Sequence, residues 1–307
     1  MTTSRKMLPG IALAVGVLAA VPASGDASAV VTHASHRAFY EIQIGRVEAG
    51  SNIVDARGRM VAEWRRACDG WASSQRLVVS MAPGEGEPIN SEVVMTSFET
   101  LDGTLFSFDS ETRIGGETIE AVKGAAERPG PGQPGRATYN VPRGVSVDLP
   151  ADTVFPFEHT IAVIEAAEQG RVRTFSYYFD GSQPENAPMA ANSLVLGKAR
   201  DPADGSENGF GALSAHKWWP VRLAMFASSP GRGLNEEPEF EMTQVLQDNG
   251  VVRRLEFDYS EFSLVAALIE IEELAPPRCD WPRQAFGRRA RIARPLPIAS
   301  CPSLSRT

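Results

Sequence analysis

Apolar and polar residues alternate with period two in segment after segment of this chain. Tyr40, Ile42 and Ile44 oppose Glu41 and Gln43; Leu255, Phe257 and Tyr259 oppose Arg254, Glu256 and Asp258; Ile269 and Ile271 oppose Glu270 and Glu272. Successive side chains of a strand point to opposite faces, so this pattern predicts antiparallel strands with one dry and one wet face. Turn signals separate the runs at Ala56-Arg57-Gly58, Pro83-Gly84-Glu85-Gly86, Leu101-Asp102-Gly103, Asp180-Gly181-Ser182 and Asp248-Asn249-Gly250. Asp-Gly and Asn-Gly accept the positive φ that tight hairpins need. Long meanders close into barrels or stack into sandwiches, because bare edges invite pairing with other chains. The expected fold is mainly β, and no repeat of about 20 to 50 residues marks a solenoid or propeller.

One segment has helical spacing instead. From Phe155-Pro156 to Gln169, apolar residues fall at Phe157, Ile161, Ile164 and Ala167, and Gly170 follows as a C-cap. In a curved sheet, a helix with one apolar face plugs the concave side or an open end and leaves the rest as a cavity. Trp71, Phe157, Ile161 and Ile164 are candidates for lining that cavity. Trp218 and Trp219 are candidates for an aromatic platform under a sugar or acyl chain, although buried anchors are the plainer reading of such a pair. Gly124 to Arg136 and Lys198 to Gly211 are rich in Gly and Pro and read as surface loops.

Arg5 and Lys6 precede an apolar run, Leu8 to Val21, and small residues at Val21-Pro22-Ala23 and Ala27-Ser28-Ala29 offer two cleavage sites. Those features describe a secretory signal peptide over residues 1–29. The run is about 14 residues, short of the roughly 20 a helix needs to cross a bilayer. The expected organisation is a leader over 1–29, one β domain over 30–279 and a flexible tail over 280–307. Removing Arg5, Lys6 and Asp26 from 30 basic and 38 acidic residues leaves 28 against 37, a net charge of −9. A nucleic-acid binder would carry a basic face, so that class is set aside. The tail differs, with Arg283, Arg288, Arg289, Arg291 and Arg294 among prolines; its functional reading is a peripheral contact with anionic lipid headgroups.

Export places Cys68, Cys279 and Cys301 in an oxidising compartment, where thiols pair and one of the three is left over. Cys68 sits in a compact segment from Trp64 to Trp71 and Cys279 closes the Pro-rich segment Ala275-Pro276-Pro277-Arg278. A bond between Cys68 and Cys279 is the favoured pairing. A redox-active thiol would need a depressed pKa and usually a CxxC pair, and no CxxC occurs.

Reaction chemistry leaves little trace. No GxSxG, HExxH, phosphate-binding loop or Ser-x-x-Lys set stands in a plausible context, and no metal site or cofactor is expected. His33 and His36 read as part of a frayed N-terminal end. His159, beside Glu158, reads as the solvated flank of the helix. Glu99 and Asp102 have the makings of an acid and base for glycoside hydrolysis, which needs two carboxyls about 5 to 10 Å apart. Turn chemistry alone accounts for Asp102.

Taken in order along the chain, these residues resemble the EipB-like cell-envelope-integrity proteins of the Gram-negative periplasm. The resemblance rests on Cys68-Asp69-Gly70-Trp71 with Gln75-Arg76, Phe98-Glu99 with Asp102-Gly103, and Phe106-Ser107-Phe108. It continues through Leu149-Pro150, Phe155-Pro156, His159-Thr160, Phe179-Asp180-Gly181-Ser182 and Trp219-Pro220-Val221-Arg222-Leu223-Ala224. It ends with Asn249-Gly250-Val251, Asp258-Tyr259 and Pro277-Arg278-Cys279. It spans about residues 36 to 279, with Ser260 standing where the family has Gly; the basic tail and Cys301 lie outside it. The resemblance implies a long antiparallel sheet curled into a spiral-like open barrel, similar to the LolA and LolB lipoprotein carriers, stapled between Cys68 and Cys279. It also implies a role in maintaining the envelope, with no catalytic activity established for the family. The leading expectation is a periplasmic protein that binds a lipid, a lipoprotein or an envelope polypeptide in or on a β-cup, with strand edges open to a partner strand. Two other readings are a hydrolase of peptidoglycan or glycan using Glu99 and Asp102, and a scaffold for another envelope protein.

Overall fold

A computed structural model describes residues 31–202, 210–227 and 237–279. The expected leader over 1–29, the basic segment after Cys279, Cys301 and part of the expected loop at 198–211 lie outside the described residues. Eight strands follow one another as an antiparallel meander: β1 (His36–Val47), β2 (Ile53–Arg66), β3 (Gly70–Pro83), β4 (Ile89–Thr100), β5 (Leu105–Ile114), β6 (Glu117–Glu127), β7 (Gly135–Val141) and β8 (Ser146–Leu149). A two-residue strand β9 (Thr153–Val154) leads into helix α1 (Pro156–Glu168). Six more strands follow: β10 (Arg173–Tyr178), β11 (Met189–Val195), β12 (Trp218–Phe226), β13 (Phe240–Gln247), β14 (Val252–Asp258) and β15 (Phe262–Glu273). The last strand pairs with the first, giving one 15-stranded sheet in the order β8 to β1, then β15 down to β9. Its two edge strands, β8 and β9, are consecutive in the chain, so the sheet rolls nearly shut into a barrel with one seam. β9 against β10 is the parallel pair.

Alternation predicted the faces of most strands. His36, Ala38, Tyr40 and Ile42 of β1 are buried and cross to Met60 and Ala62 of β2 on the same inner face. β15 departs from the expected pattern. Between Phe39 and Tyr40 the register with β15 slips by one, which turns Ile269 outward at 47% exposure while Leu268 and Ile271 pack inward. A bulge of this kind adds one residue to one strand and breaks period two at that point. Ala56-Arg57-Gly58 is not a turn but the middle of β2; a Cβ on Gly58 would stand 2.2 Å from the Val78 carbonyl oxygen, so close strand approach, not reversal, demands the glycine. The Gly-rich loop is also shorter than expected, since β6 runs through Glu127 and β7 starts at Gly135. Ser260 has φ +64, the left-handed region that glycine adopts freely, and its N–H is held by Asp258 Oδ1 at 3.0 Å.

The helix lies where its spacing placed it. Pro156 opens it, as its fixed φ favours. Gly170 (φ +69) closes it, with the Gly170 N–H donating to Ala167 O and the Arg171 N–H to Ala166 O. Val163, Ile164 and Ala167 pack against Val195, Trp219, Val221 and Leu246, so α1 sits on the inner face of β11 to β13. A second aromatic core of Phe106, Phe108, Tyr139, Phe155 and Phe179 fills the barrel beside β5 to β7. Cys68 and Cys279 are bonded to one another, tying the β2–β3 turn to the segment after β15. His33 and His36 are not frayed: both are buried, because the backbone around them is pinned by Ala34 N–H to Asn249 O and Leu274 N–H to Ser35 O.

Candidate functional site

The candidate site is built from two parts of the barrel: its seam and part of its concave face. The seam is organised by Glu99, Arg128 and Glu158. Glu99, at the end of β4 and 4% exposed, accepts the N–H groups of Phe157 (2.9 Å) and Glu158 (3.1 Å) in the first turn of α1. A carboxylate from a distant strand thus caps the helix, whose own N-cap, Phe155, has no side-chain acceptor. Burial nonetheless pushes the Glu99 carboxyl up to about 7, against the lowering effect of the two backbone hydrogen bonds. Arg128, between β6 and β7, lies over the Phe155 ring and donates to Gly103 O (2.6 Å), to Thr153 O and to Glu158 Oε2 (2.7 Å). One guanidinium therefore joins the β4–β5 turn, β9 and α1. Asp102 is exposed and its Oδ1 accepts from Thr100 Oγ1 (2.7 Å), Thr104 N–H (3.1 Å) and Thr104 Oγ1 (2.7 Å), which hold it below its usual carboxylate range. The two carboxylates that the sequence offers as an acid and base each have a structural role: Glu99 caps the helix and Asp102 shapes a turn.

Beside the seam, a cavity of about 330 Å³ opens between α1 and β10; Thr174 and Ser176 form one wall, and His159, Ala162 and Glu165 form the other. His159 is buried, not solvated: its Nε2 lies 3.1 Å from Ser193 Oγ, its ring meets Tyr178 edge-on, and burial lowers its pKa to about 4.

The concave face follows from the register. Trp71, Glu99 and Phe106 are buried cross-strand neighbours on the inner side of β3, β4 and β5. Counting by twos from them, the next inner rows are Ser73 with Ser97, Gln75 with Met95 and Ser110, and Leu77 with Val93 and Thr112. None of these side chains is buried, and Gln75 is exposed, although Tyr40 and Met60 in the continuation of the same rows are covered. The helix plugs the β11–β13 side and leaves the inner surface of β3 to β5 as an open cup.

The residues expected to line a cavity are distributed as follows. Trp71 is buried and stacks on half-buried Phe157, with ring centroids 4.8 Å apart, and His33 sits edge-on to Trp71 at the rim of this cup. Ile164 is fully buried, and Ile161 is half-buried on the flank of α1. Trp219 faces inward against the helix, whereas Trp218, on the other face of β12, is covered by the Arg200 guanidinium at 4.9 Å. The structure brings Trp71 and Phe157 together and leaves the Trp pair divided. Met95, Ser97 and Gln75 escaped the sequence reading, since a half-polar inner row looks like an outer one. Among the described residues, no group of His, Cys, Asp and Glu is arranged to hold a metal ion, and no helix is long and apolar enough to cross a membrane.

The class defined by this geometry is a nearly closed antiparallel barrel, plugged on one side by a helix and open on a concave face. The chain belongs to the EipB-like family, whose model matches residues 27–275. It is 28% identical to the "Cell envelope integrity protein EipB" of Brucella abortus (strain 2308) over 252 residues, covering 81% of this chain and 87% of the relative. It also superposes on the crystal structure of a β-barrel-like protein of a domain of unknown function from Brucella abortus. That match has a TM-score of 0.70 at 26% identity and covers 80% of this chain and 100% of that one.

Proposed function

We propose that the protein maintains the cell envelope as a non-enzymatic periplasmic binding protein, holding a lipid or the acyl moiety of a lipoprotein against the open concave face of β3 to β5. The observation that carries this reading is that the inner surface of β3 to β5 is incompletely covered. A packed barrel buries its inner rows, whereas here Leu77, Val93 and Met95 are only half-buried on the inside, flanked by half-buried Ser73, Ser97, Ser110 and Thr112 and by exposed Gln75. Such a surface offers apolar contact to a chain, at about 0.8 kcal/mol per buried CH₂, and hydrogen-bonding partners to a polar head. The leader sequence supports export, and the relative's name supports the envelope role. The structural engagement of Glu99 and Asp102 supports a binding protein over a hydrolase.

The test is native mass spectrometry and lipid extraction of the exported protein purified from cells, beside a Met95→Arg variant. An acyl species retained by the parent and lost from the variant is the expected result. A bare parent protein, or equal retention by both, would overturn the proposal.

A further inference from the structure

Sheet edges recruit other chains unless they are short, charged, bulged or interrupted by proline. β8 is protected in this way: it has four residues, carries the Asp148–Arg136 ion pair and runs into Pro150. β10 is not. Arg173-Thr174-Phe175-Ser176-Tyr177-Tyr178 contains no proline, one charge at its start, and mostly residues with high β propensity. On one side β11 pairs with it along its whole length; on the other, β9 reaches only Tyr177 and Tyr178. The chain ahead of β9 turns away, with the Thr153 N–H donating to Pro150 O at 3.1 Å, so β9 does not continue alongside Arg173 to Ser176.

Two hydrogen bonds fix which backbone groups are left facing that space. The Val172 carbonyl accepts from Val195 N–H on the β11 side, and the Phe179 N–H donates to Val154 O on the β9 side. Backbone groups alternate along an edge, so the N–H and C=O of Arg173 and Phe175 point away from β11. No strand among the described residues lies against them, and the cavity of about 330 Å³ opens at this place, with Thr174, Phe175 and Ser176 in its wall.

We infer that this slot takes an extended segment of a partner polypeptide, which adds to β10 as a further strand in line with β9. The surroundings define the segment. Side chains on its inner face enter a cavity lined by Asp152 and Glu165 against a single Arg171, with Glu158 already paired to Arg128, which favours small or basic residues. Side chains on its outer face lie beside Phe175, 47% exposed on the outside of the sheet, and beside the aliphatic stem of Arg173, which favours apolar residues. The partner segment is therefore a short stretch alternating apolar with small or basic residues. Main-chain hydrogen bonds to Arg173 and Phe175 supply the affinity, and the two rows of side chains supply the selection. This site is separate from the concave face of β3 to β5 and does not rest on the lipid reading.

The probe is a display library of twelve-residue peptides panned on the exported, disulfide-intact protein, with enriched peptides measured by fluorescence anisotropy and amide hydrogen exchange. Enriched peptides are expected to share the alternating pattern and to slow exchange at Arg173 and Phe175 at least tenfold. Phe175→Pro removes one N–H from the slot while sparing the bonds to β11 and is expected to weaken binding at least tenfold. Phe175→Lys, which places a charge on the edge without touching the backbone, serves if the proline variant does not fold. No enriched pattern, protection confined to β3 to β5, or unchanged affinity in a folded variant would overturn the inference.

Discussion

Replacing Arg128 by Met tests whether one buried guanidinium holds the seam together. The substitution keeps the aliphatic stem and removes the head, whose side chain is 1% exposed. Two carbonyls, Gly103 O and Thr153 O, lose a charged donor. Charge-assisted bonds of this kind contribute about 1.5 to 3 kcal/mol each. The Glu158 partner is 30% exposed and rehydrates when released, so the ion pair adds at most about 1 kcal/mol. Removing a buried charge also recovers part of its desolvation cost, which offsets some of the loss. The net expectation is a destabilisation of about 3 kcal/mol. With a urea slope of about 3 kcal/mol/M, the unfolding midpoint falls by about 1 M at unchanged slope. Arg128→Lys, which keeps the charge and reaches fewer acceptors, should lose roughly half as much. The assay is equilibrium urea unfolding of the oxidised protein followed by Trp fluorescence. A midpoint shift below about 0.3 M for Arg128→Met would refute the assignment of Arg128 as the clamp.

Between about pH 4.5 and 7 buried groups of two kinds act on stability in opposite directions. Burial depresses His159 to about 4 and His33 to about 3, so the stability these neutral imidazoles contribute is present above about 6.5 and is lost as pH falls toward those values. For His159 the full effect is about 3 kcal/mol, and His159→Gln should flatten the acid limb of a Tm-versus-pH curve. Glu99 is raised to about 7, so the stability it contributes is present below about 4.5 and is lost as pH rises through about 7; Glu99→Gln should flatten that fall between pH 5 and 8. Cys68→Ser with Cys279→Ser, bonded across 211 residues in the parent, should lower stability by up to about 5 kcal/mol and lower the urea midpoint as reductant does.

The strands and the helix were legible because period-two and period-3.6 patterns are local. The Cys68–Cys279 staple was legible from the expected oxidising compartment, cysteine placement and family resemblance. Contacts between distant segments were not legible. His33 is buried because Gly250, more than 200 residues later, brings backbone where a side chain would strike its ring. Glu99 looks like one more turn-flanking carboxylate, and nothing within β4 announces that it caps a helix 57 residues downstream. Gly58 misled for the opposite reason, since glycine marks both reversals and close strand approach, and only the 2.2 Å to Val78 O tells them apart. The open concave face is hidden by the same alternation that reveals the strands. Ser73, Gln75 and Ser97 occupy inner positions but are polar, so the pattern alone assigns them to water on the outside.

The most direct measurement is complementation of a strain lacking this chain by the Met95→Arg variant, scored as survival in detergent with the accumulated protein quantified in parallel. The expected result is a variant that accumulates with its Cys68–Cys279 bond formed and fails to restore resistance. Full restoration by a protein carrying a charge in the middle of the open face would contradict it.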